Sequence, residues 1–179
     1  VVKAVTAEVV TPDQLGGAGV HFSKSGVAHF VYQDDKACLE GVRNLLSYLP
    51  QNNTEKASEK AGEIVDRSLD IEEIIPDNFK RAYDVRDVIA CFADKNSFLE
   101  IQPEFAKNVV IGFARLEGNV VGIVANQPKC LAGSLDVDAS DKAARFVRFC
   151  DSFNIPILTL VDVPGYMPGT KQEHNGIIR

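Results

Sequence analysis

Apolar positions are concentrated in the second half of the chain. Val109–Leu116 and Val120–Ala125 are nearly unbroken apolar runs separated by Glu117-Gly118-Asn119, a spacing and glycine content that predict a β-hairpin. The second run has almost no polar interruption, as expected of a strand covered on both faces. From Ser140 to Phe153 the apolar residues Ala143, Ala144, Phe146, Val147, Cys150 and Phe153 recur at helical spacing, which predicts a helix with those residues toward the core. Asn154-Ile155-Pro156 then leads into a predicted strand, Ile157–Val161. Strand, helix and strand in this order predict a right-handed parallel crossover. The last strand runs directly into Asp162–Glu173, whose second half begins a new helix.

The amino-terminal half reads less regularly. Val1–Val10 is rich in β-formers and predicts a strand, and Thr11-Pro12-Asp13-Gln14 has the capping-box pattern that opens a short helix. Leu15-Gly16-Gly17-Ala18-Gly19 is expected to end that helix and turn the chain, and Val27–Val31 predicts another strand. Asp34–Leu49 places Ala37, Cys38, Val42, Leu45, Leu46 and Leu49 at helical spacing before Pro50 stops the helix. Residues 50–80 turn polar, with eight acidic and four basic side chains. This stretch reads as a solvated connector lying on the surface through Ile64, Leu69, Ile74 and Ile75. Asp84 then caps a helix running to Phe92. The pattern predicts an α/β protein in three pieces: 1–49, an acidic connector 50–83, and 84–179.

Composition narrows the chemistry. At 179 residues and 45% hydrophobic content there is material for a core. A net charge of −6 supplies no basic field for nucleic acid. No apolar run reaches the roughly 18 residues of a membrane span, and no signal-peptide pattern stands at the start, so a soluble protein is expected. Cys38, Cys91, Cys130 and Cys150 lack metal or disulfide spacing and are expected to be reduced core thiols. His21, His29 and His174 have no partners at ligand spacing, so no metal is assigned. Gly16-Gly17-Ala18-Gly19 follows a helix and lacks the spacing of a phosphate loop, and Ser23, Ser25 and Ser134 sit in no nucleophile elbow.

The most informative segment is Gly165–Thr170. Two glycines and two prolines fix an unusual path, which would leave the N–H groups of Gly165, Met167, Gly169 and Thr170 free to meet an oxyanion or carboxylate. A rigid turn between strand and helix is the plainer reading of the same residues. Lys171 and Arg179 would pair with an anionic substrate or simply carry surface charge, and Glu173 would cap the helix.

Three stretches together, Leu15–Phe30, Val120–Lys142 and Ala143–Arg179 with its DVPGYMPGT run, resemble the carboxyltransferase (β) subunits of biotin-dependent acyl-CoA carboxylases. The resemblance spans the whole chain, is sharpest in the third stretch, and is closest to propionyl-CoA carboxylases. It extends to methylmalonyl-CoA carboxyltransferase and to the α subunit of methylmalonyl-CoA decarboxylase. It implies a ClpP/crotonase-like α/β fold, with residues 1–49 ending an N-terminal repeat and 84–179 opening a C-terminal one, so that the chain is an internal fragment.

The resemblance also implies an activity: transfer of CO2 from carboxybiotin, on a separate carrier protein, to the α-carbon of a short acyl-CoA, propionyl-CoA favoured. It implies biotin carboxylase and biotin carrier partners, pairs of subunits assembled into a hexamer, and a cytoplasmic or mitochondrial-matrix location. The glycine-rich segments that receive the enolate and ureido oxyanions are expected outside this chain, so the fragment alone is expected to be inactive. Carried onto this sequence, the biotin-side pocket comprises Asn126, Gln127, Gly165, Tyr166, Met167, Pro168, Gly169 and Thr170. A decarboxylase or transcarboxylase subunit, and an inactive piece with only structural association, are the competing expectations.

Overall fold

A computed structural model describes residues 1–60, 71–78 and 81–178. Its centre is a four-stranded sheet in the order β1-β2-β3-β4, formed by Leu99–Ile101 (β1), Val109–Leu116 (β2), Asn119–Asn126 (β3) and Ile157–Leu160 (β4). The first three strands run antiparallel, and β4 joins β3 in parallel, with Gly122 opposite Ile157 and Ala125 opposite Leu160. The hairpin is as expected but tighter. Its loop is the pair Glu117-Gly118, both at positive φ (50° and 82°), and Asn119 already pairs with Leu116.

The continuous apolar run of β2 follows from covering on both faces. Two helices cover it: Val85–Phe92 (α6), capped by Asp84, and Val137–Ser152 (α7), capped by Asp136. Successive side chains point to opposite sides of a strand, so Val109, Ile111 and Phe113 meet Ala139, Phe146 and Cys150 of α7. Val110 and Ala114 meet Val85 and Ile89 of α6 on the other face. The α7 helix starts three residues before the predicted Ser140. Val147, expected in the core, is 40% exposed, while Lys142 is buried in its place.

The amino-terminal piece departs further from expectation. Val1–Val10 is no strand: Val2–Thr6 forms a short helix, α1, that ends on Ala7 at φ 62°. Strand preference depends on a pleated neighbour to pack against, and with none beside it the segment bonds locally, Thr6 Oγ1 donating to Val2 O at 3.1 Å. Pro12–Gly16 (α2) carries the expected capping box. Gly17 then caps a further helix, Ala18–Ser23 (α3), where a turn was expected. Val27–Val31 is also not a strand; its link to the sheet edge is the Gln102 N–H donating to His29 O at 3.1 Å.

Asp35–Leu46 (α4) forms behind its Asp34 cap but ends three residues before the predicted Leu49, and Cys38, Val42 and Leu46 on the expected core face are exposed. Of the four cysteines only Cys150 is buried, and burial pushes its thiol up to about 12. Ile64 and Leu69 lie outside the described residues. Ile74, in the one-turn helix Ile71–Ile74 (α5), is half-buried and Ile75 is exposed. Thr170–His174 (α8) begins where the second half of the loop predicted a helix.

Two buried groups join the amino-terminal piece to the sheet. Arg115, 5% exposed, donates to Ser47 O (2.6 Å), Ser58 O (2.9 Å) and Gly118 O (2.8 Å), and lies over the Tyr48 ring. Tyr48 in turn donates its hydroxyl to Ser97 O at 2.6 Å.

Candidate functional site

Beyond the carboxyl ends of β3 and β4 the chain has no further ladder to satisfy it, and side chains take over. Asn126, at the end of β3, donates to Gly133 O (3.0 Å) and accepts from Asp162 N–H (3.2 Å). Its carboxamide thus ties the Leu131–Gly133 3-10 turn to the residue that follows β4. A second tie is a parallel bridge: Leu135 N–H donates to Gly165 O (3.1 Å), and Met167 N–H donates to Leu135 O (2.7 Å). The Met167 N–H expected to be free is therefore spent in this bridge.

The remaining expectation about the loop keeps its geometry. Among the described residues the N–H groups of Gly165, Gly169 and Thr170 donate to no acceptor. Gly165 and Gly169 adopt φ of +149° and +125°, conformations that L side chains rarely adopt, and a Cβ added at either would meet nothing within 4 Å. Open space therefore lies directly beside the backbone of this loop. Tyr166 is 54% exposed and Met167 half-buried, while Pro168, Gly169 and Thr170 face solvent.

Gln127 is placed differently. It is 2% exposed; its Oε1 accepts from Val85 N–H (3.4 Å) and Lys129 N–H (3.3 Å), and its Nε2 donates to Asp84 (2.7 Å). Its polar atoms serve the start of α6. Burial disfavours the Asp84 carboxylate, but the hydrogen bonds from Gln127 and the Arg86 amide and the charge of Arg86 outweigh this, holding its pKa below the ordinary value. Arg86 also makes a two-pronged ion pair with Glu100, at 2.7 and 2.6 Å.

Next to Asn126 and Asp162 is a cavity of about 310 Å³ lined by Tyr83, Arg81, Pro128, Ala132, Asp162 and residues 75–77. Sequence reasoning did not single out Tyr83. Its hydroxyl donates to Asp162 at 2.8 Å across 79 residues of chain, a pairing that no local pattern encodes. Burial, the hydrogen bond to Asp162 and the charge of that carboxylate push Tyr83 up to about 12. Burial and the charges of Asp136 and Asp141 raise the Asp138 pKa, and the charge of Lys171 opposes the rise. Among the described residues no group of His, Cys, Asp or Glu is arranged to hold a metal, and no helix is long and apolar enough to cross a membrane.

The fold of the chain, mixed α/β around one sheet, is that of crotonase-like carboxyltransferases. Transcarboxylase 12S, solved with methylmalonyl-coenzyme A and methylmalonic acid bound, superposes with a TM-score of 0.92 at 54% identity, over 99% of this chain and 35% of that one. A single-chain long-chain acyl-CoA carboxylase superposes at 0.82 with 30% identity, over 99% of this chain and 17% of that one. Residues 1–179 match the carboxyl transferase domain, and the chain belongs to that family.

Among curated relatives, a propionyl-CoA carboxylase carboxyltransferase subunit of Haloferax mediterranei is 56% identical over all of this chain and 35% of its own length. The methylmalonyl-CoA carboxyltransferase 12S subunit of Propionibacterium freudenreichii subsp. shermanii is 53% identical over all of this chain and 34% of its own. For the methylmalonyl-CoA decarboxylase α subunit of Propionigenium modestum the figures are 51%, all and 35%. The chain spans about a third of the length of these relatives.

Proposed function

We propose that this chain is the biotin-side part of a carboxyltransferase acting on a short acyl-CoA, propionyl-CoA favoured, with residues 84–179 opening a C-terminal crotonase-like repeat and residues 1–49 closing an N-terminal one. The observation that carries the reading is the Gly165–Thr170 loop beyond the end of a parallel strand, where the N–H groups of Gly165, Gly169 and Thr170 have no acceptor among the described residues and open space lies beside the two glycines. When bound, carboxybiotin on its carrier protein supplies CO2 to the α-carbon of the acyl-CoA.

The residues present fit such a group. A planar ureido ring needs close backbone approach and N–H donors for its oxygen, and Gly165 and Gly169 supply both without a side chain in the way. Tyr166 and Met167 offer flanking surface, with Tyr166 54% exposed. Asn126 acts from behind, holding Gly133 and Asp162 in register. Gln127 contributes more indirectly, through the start of α6.

Biotin carboxylase and biotin carrier subunits are the partners this reading requires, and a hexamer of paired subunits is its expected assembly. Relatives include a decarboxylase and a transcarboxylase subunit at similar identity, so the final acceptor of CO2 is set by the complex in which the chain works. The test is reverse transfer: full-length protein incubated with methylmalonyl-CoA and biocytin should release propionyl-CoA. Gly169→Val, which places a branched side chain beside the loop at φ +125°, should raise the biocytin KM by about tenfold, a change of 1.4 kcal/mol. Absence of biocytin-dependent turnover in the full-length protein would refute the reading.

A further inference from the structure

Among the described residues, the side chain with the most hydrogen bonds to main-chain carbonyls lies away from the glycine-proline loop. Lys142, on α7, is 2% exposed and forms no salt bridge among the described residues. Its ammonium donates instead to four main-chain carbonyls, those of Gln102 (3.0 Å), Phe105 (2.7 Å), Ala106 (3.3 Å) and Val109 (2.7 Å). The first three belong to the loop between β1 and β2, where Gln102 and Ala106 both adopt left-handed φ, 53° and 43°, and the fourth to the first residue of β2. A cation gathering four carbonyls fixes a path that the backbone would otherwise resist.

What that loop presents is Asn108. It is 2% exposed, its Nδ2 donates to Ser134 O (2.8 Å) and Asp136 Oδ1 (3.2 Å), and its carbonyl accepts from Gln127 N–H (2.9 Å). Ser134 immediately precedes Leu135, whose two main-chain hydrogen bonds hold Gly165 and Met167. Hydrogen bonds and the short covalent stretches between them thus link Lys142 to the 102–108 loop, Asn108 of that loop to the strap 134–136, and Leu135 of the strap to the glycine-proline loop. Asn126 holds the residue just before this strap, donating to Gly133 O.

We infer that Lys142 and Asn108 are positioning residues for the Gly165–Thr170 loop, with Asn108 the connecting point: Lys142 sets the 102–108 loop, Asn108 sets the 134–136 strap, and the strap sets the height of Gly165 and Met167. The inference rests on the functional reading above for its consequence in catalysis, and on the hydrogen bonds alone for its structural content. Burial pushes the Lys142 ammonium down to about 8, while a neutral amine would have only two N–H groups for four carbonyls.

The experiment uses full-length protein carrying Asn108→Ala, with Lys142→Met as a second variant. Hydrogen–deuterium exchange is resolved at the Met167 amide, and reverse transfer is measured with biocytin and methylmalonyl-CoA varied separately. In Asn108→Ala, Met167 exchange should accelerate about tenfold while amides of α7 keep their protection; the biocytin KM should rise about tenfold with the methylmalonyl-CoA KM unchanged, as the loss of one buried hydrogen-bonding partner predicts. A purely structural role would lower kcat through loss of active protein and leave both KM values alone. Unchanged Met167 exchange, or acceleration spread evenly over the whole chain, overturns the inference. If wild-type protein shows no biocytin-dependent turnover the functional reading fails, and the exchange result still decides the tether. Should Lys142→Met fail to fold, Asn108→Ala carries the test alone.

Discussion

Helices α4 and α7 both carry apolar residues at helical spacing, yet they meet opposite fates. On α7, Ala139, Phe146 and Cys150 are buried against the sheet, whereas α4 has no buried residue and exposes Leu39, Val42 and Leu46 at 58%, 44% and 60%. The difference lies in what each helix finds beside it. The α7 helix lies on β2 and β3, strands whose inward side chains match it, while α4 meets the core through Leu45 and through Tyr48 and Leu49 just past its end. Periodicity alone records that a face is apolar; neighbouring elements decide whether it is buried.

Substitutions should separate the two regions, in order of decreasing effect. Phe113 is fully buried, with its ring centroid 5.2 Å from Phe146 and 6.0 Å from Tyr48. Phe113→Ala should destabilise by about 4 kcal/mol, read from denaturant midpoints. Asp94 is 5% exposed and its carboxylate accepts from both turn amides, Glu117 N–H (2.9 Å) and Gly118 N–H (2.7 Å). Asp94→Ala should therefore cost about 2 kcal/mol. Thr11→Ala, removing the capping box of α2, should cost about 1 kcal/mol locally, visible as faster amide exchange at Gln14 without a shift of the global midpoint. Leu46→Ser on the exposed face of α4 should change the stability of this chain by no more than about 0.5 kcal/mol. A loss as large as that of Phe113→Ala would break the comparison.

A pH titration sharpens it further. The folded state keeps the Tyr83 proton up to about 12, whereas an unfolded tyrosine releases it near 10. Between these values the unfolded state binds fewer protons, so stability should fall as pH rises through that window. Tyr83→Phe should remove this part of the alkaline slope. An ultraviolet titration should show wild type and Tyr83→Phe releasing nearly the same number of phenolic protons below pH 11 and differing only as pH approaches about 12.

How much of this was legible in the sequence follows from the range of the interactions. The hairpin, α6, α7 and β4 are written in local periodicity and caps: Asp84 and Asp136 each accept a main-chain N–H at the start of their helix. The β1 strand was missed because three residues, Leu99–Ile101, give too short a pattern to register. Val1–Val10 misled because its β-forming residues express a preference for a sheet neighbour they do not have. At the site, Gly165–Thr170 was legible as a loop because glycine and proline encode backbone path directly. Tyr83 with Asp162, and Lys142 with its four carbonyls, were not, since each partnership spans 33 to 79 residues and exists only once the strands have paired.

The central claim is that the glycine-proline loop receives the carboxyl-carrying ligand. The most direct test is a structure of the full-length protein with biocytin bound. The account predicts the ureido ring within hydrogen-bonding distance of at least one of the Gly165, Gly169 and Thr170 N–H groups, with the Leu135 bridge to Gly165 and Met167 intact. Biocytin ordered at another site, with this loop facing only solvent, would contradict it.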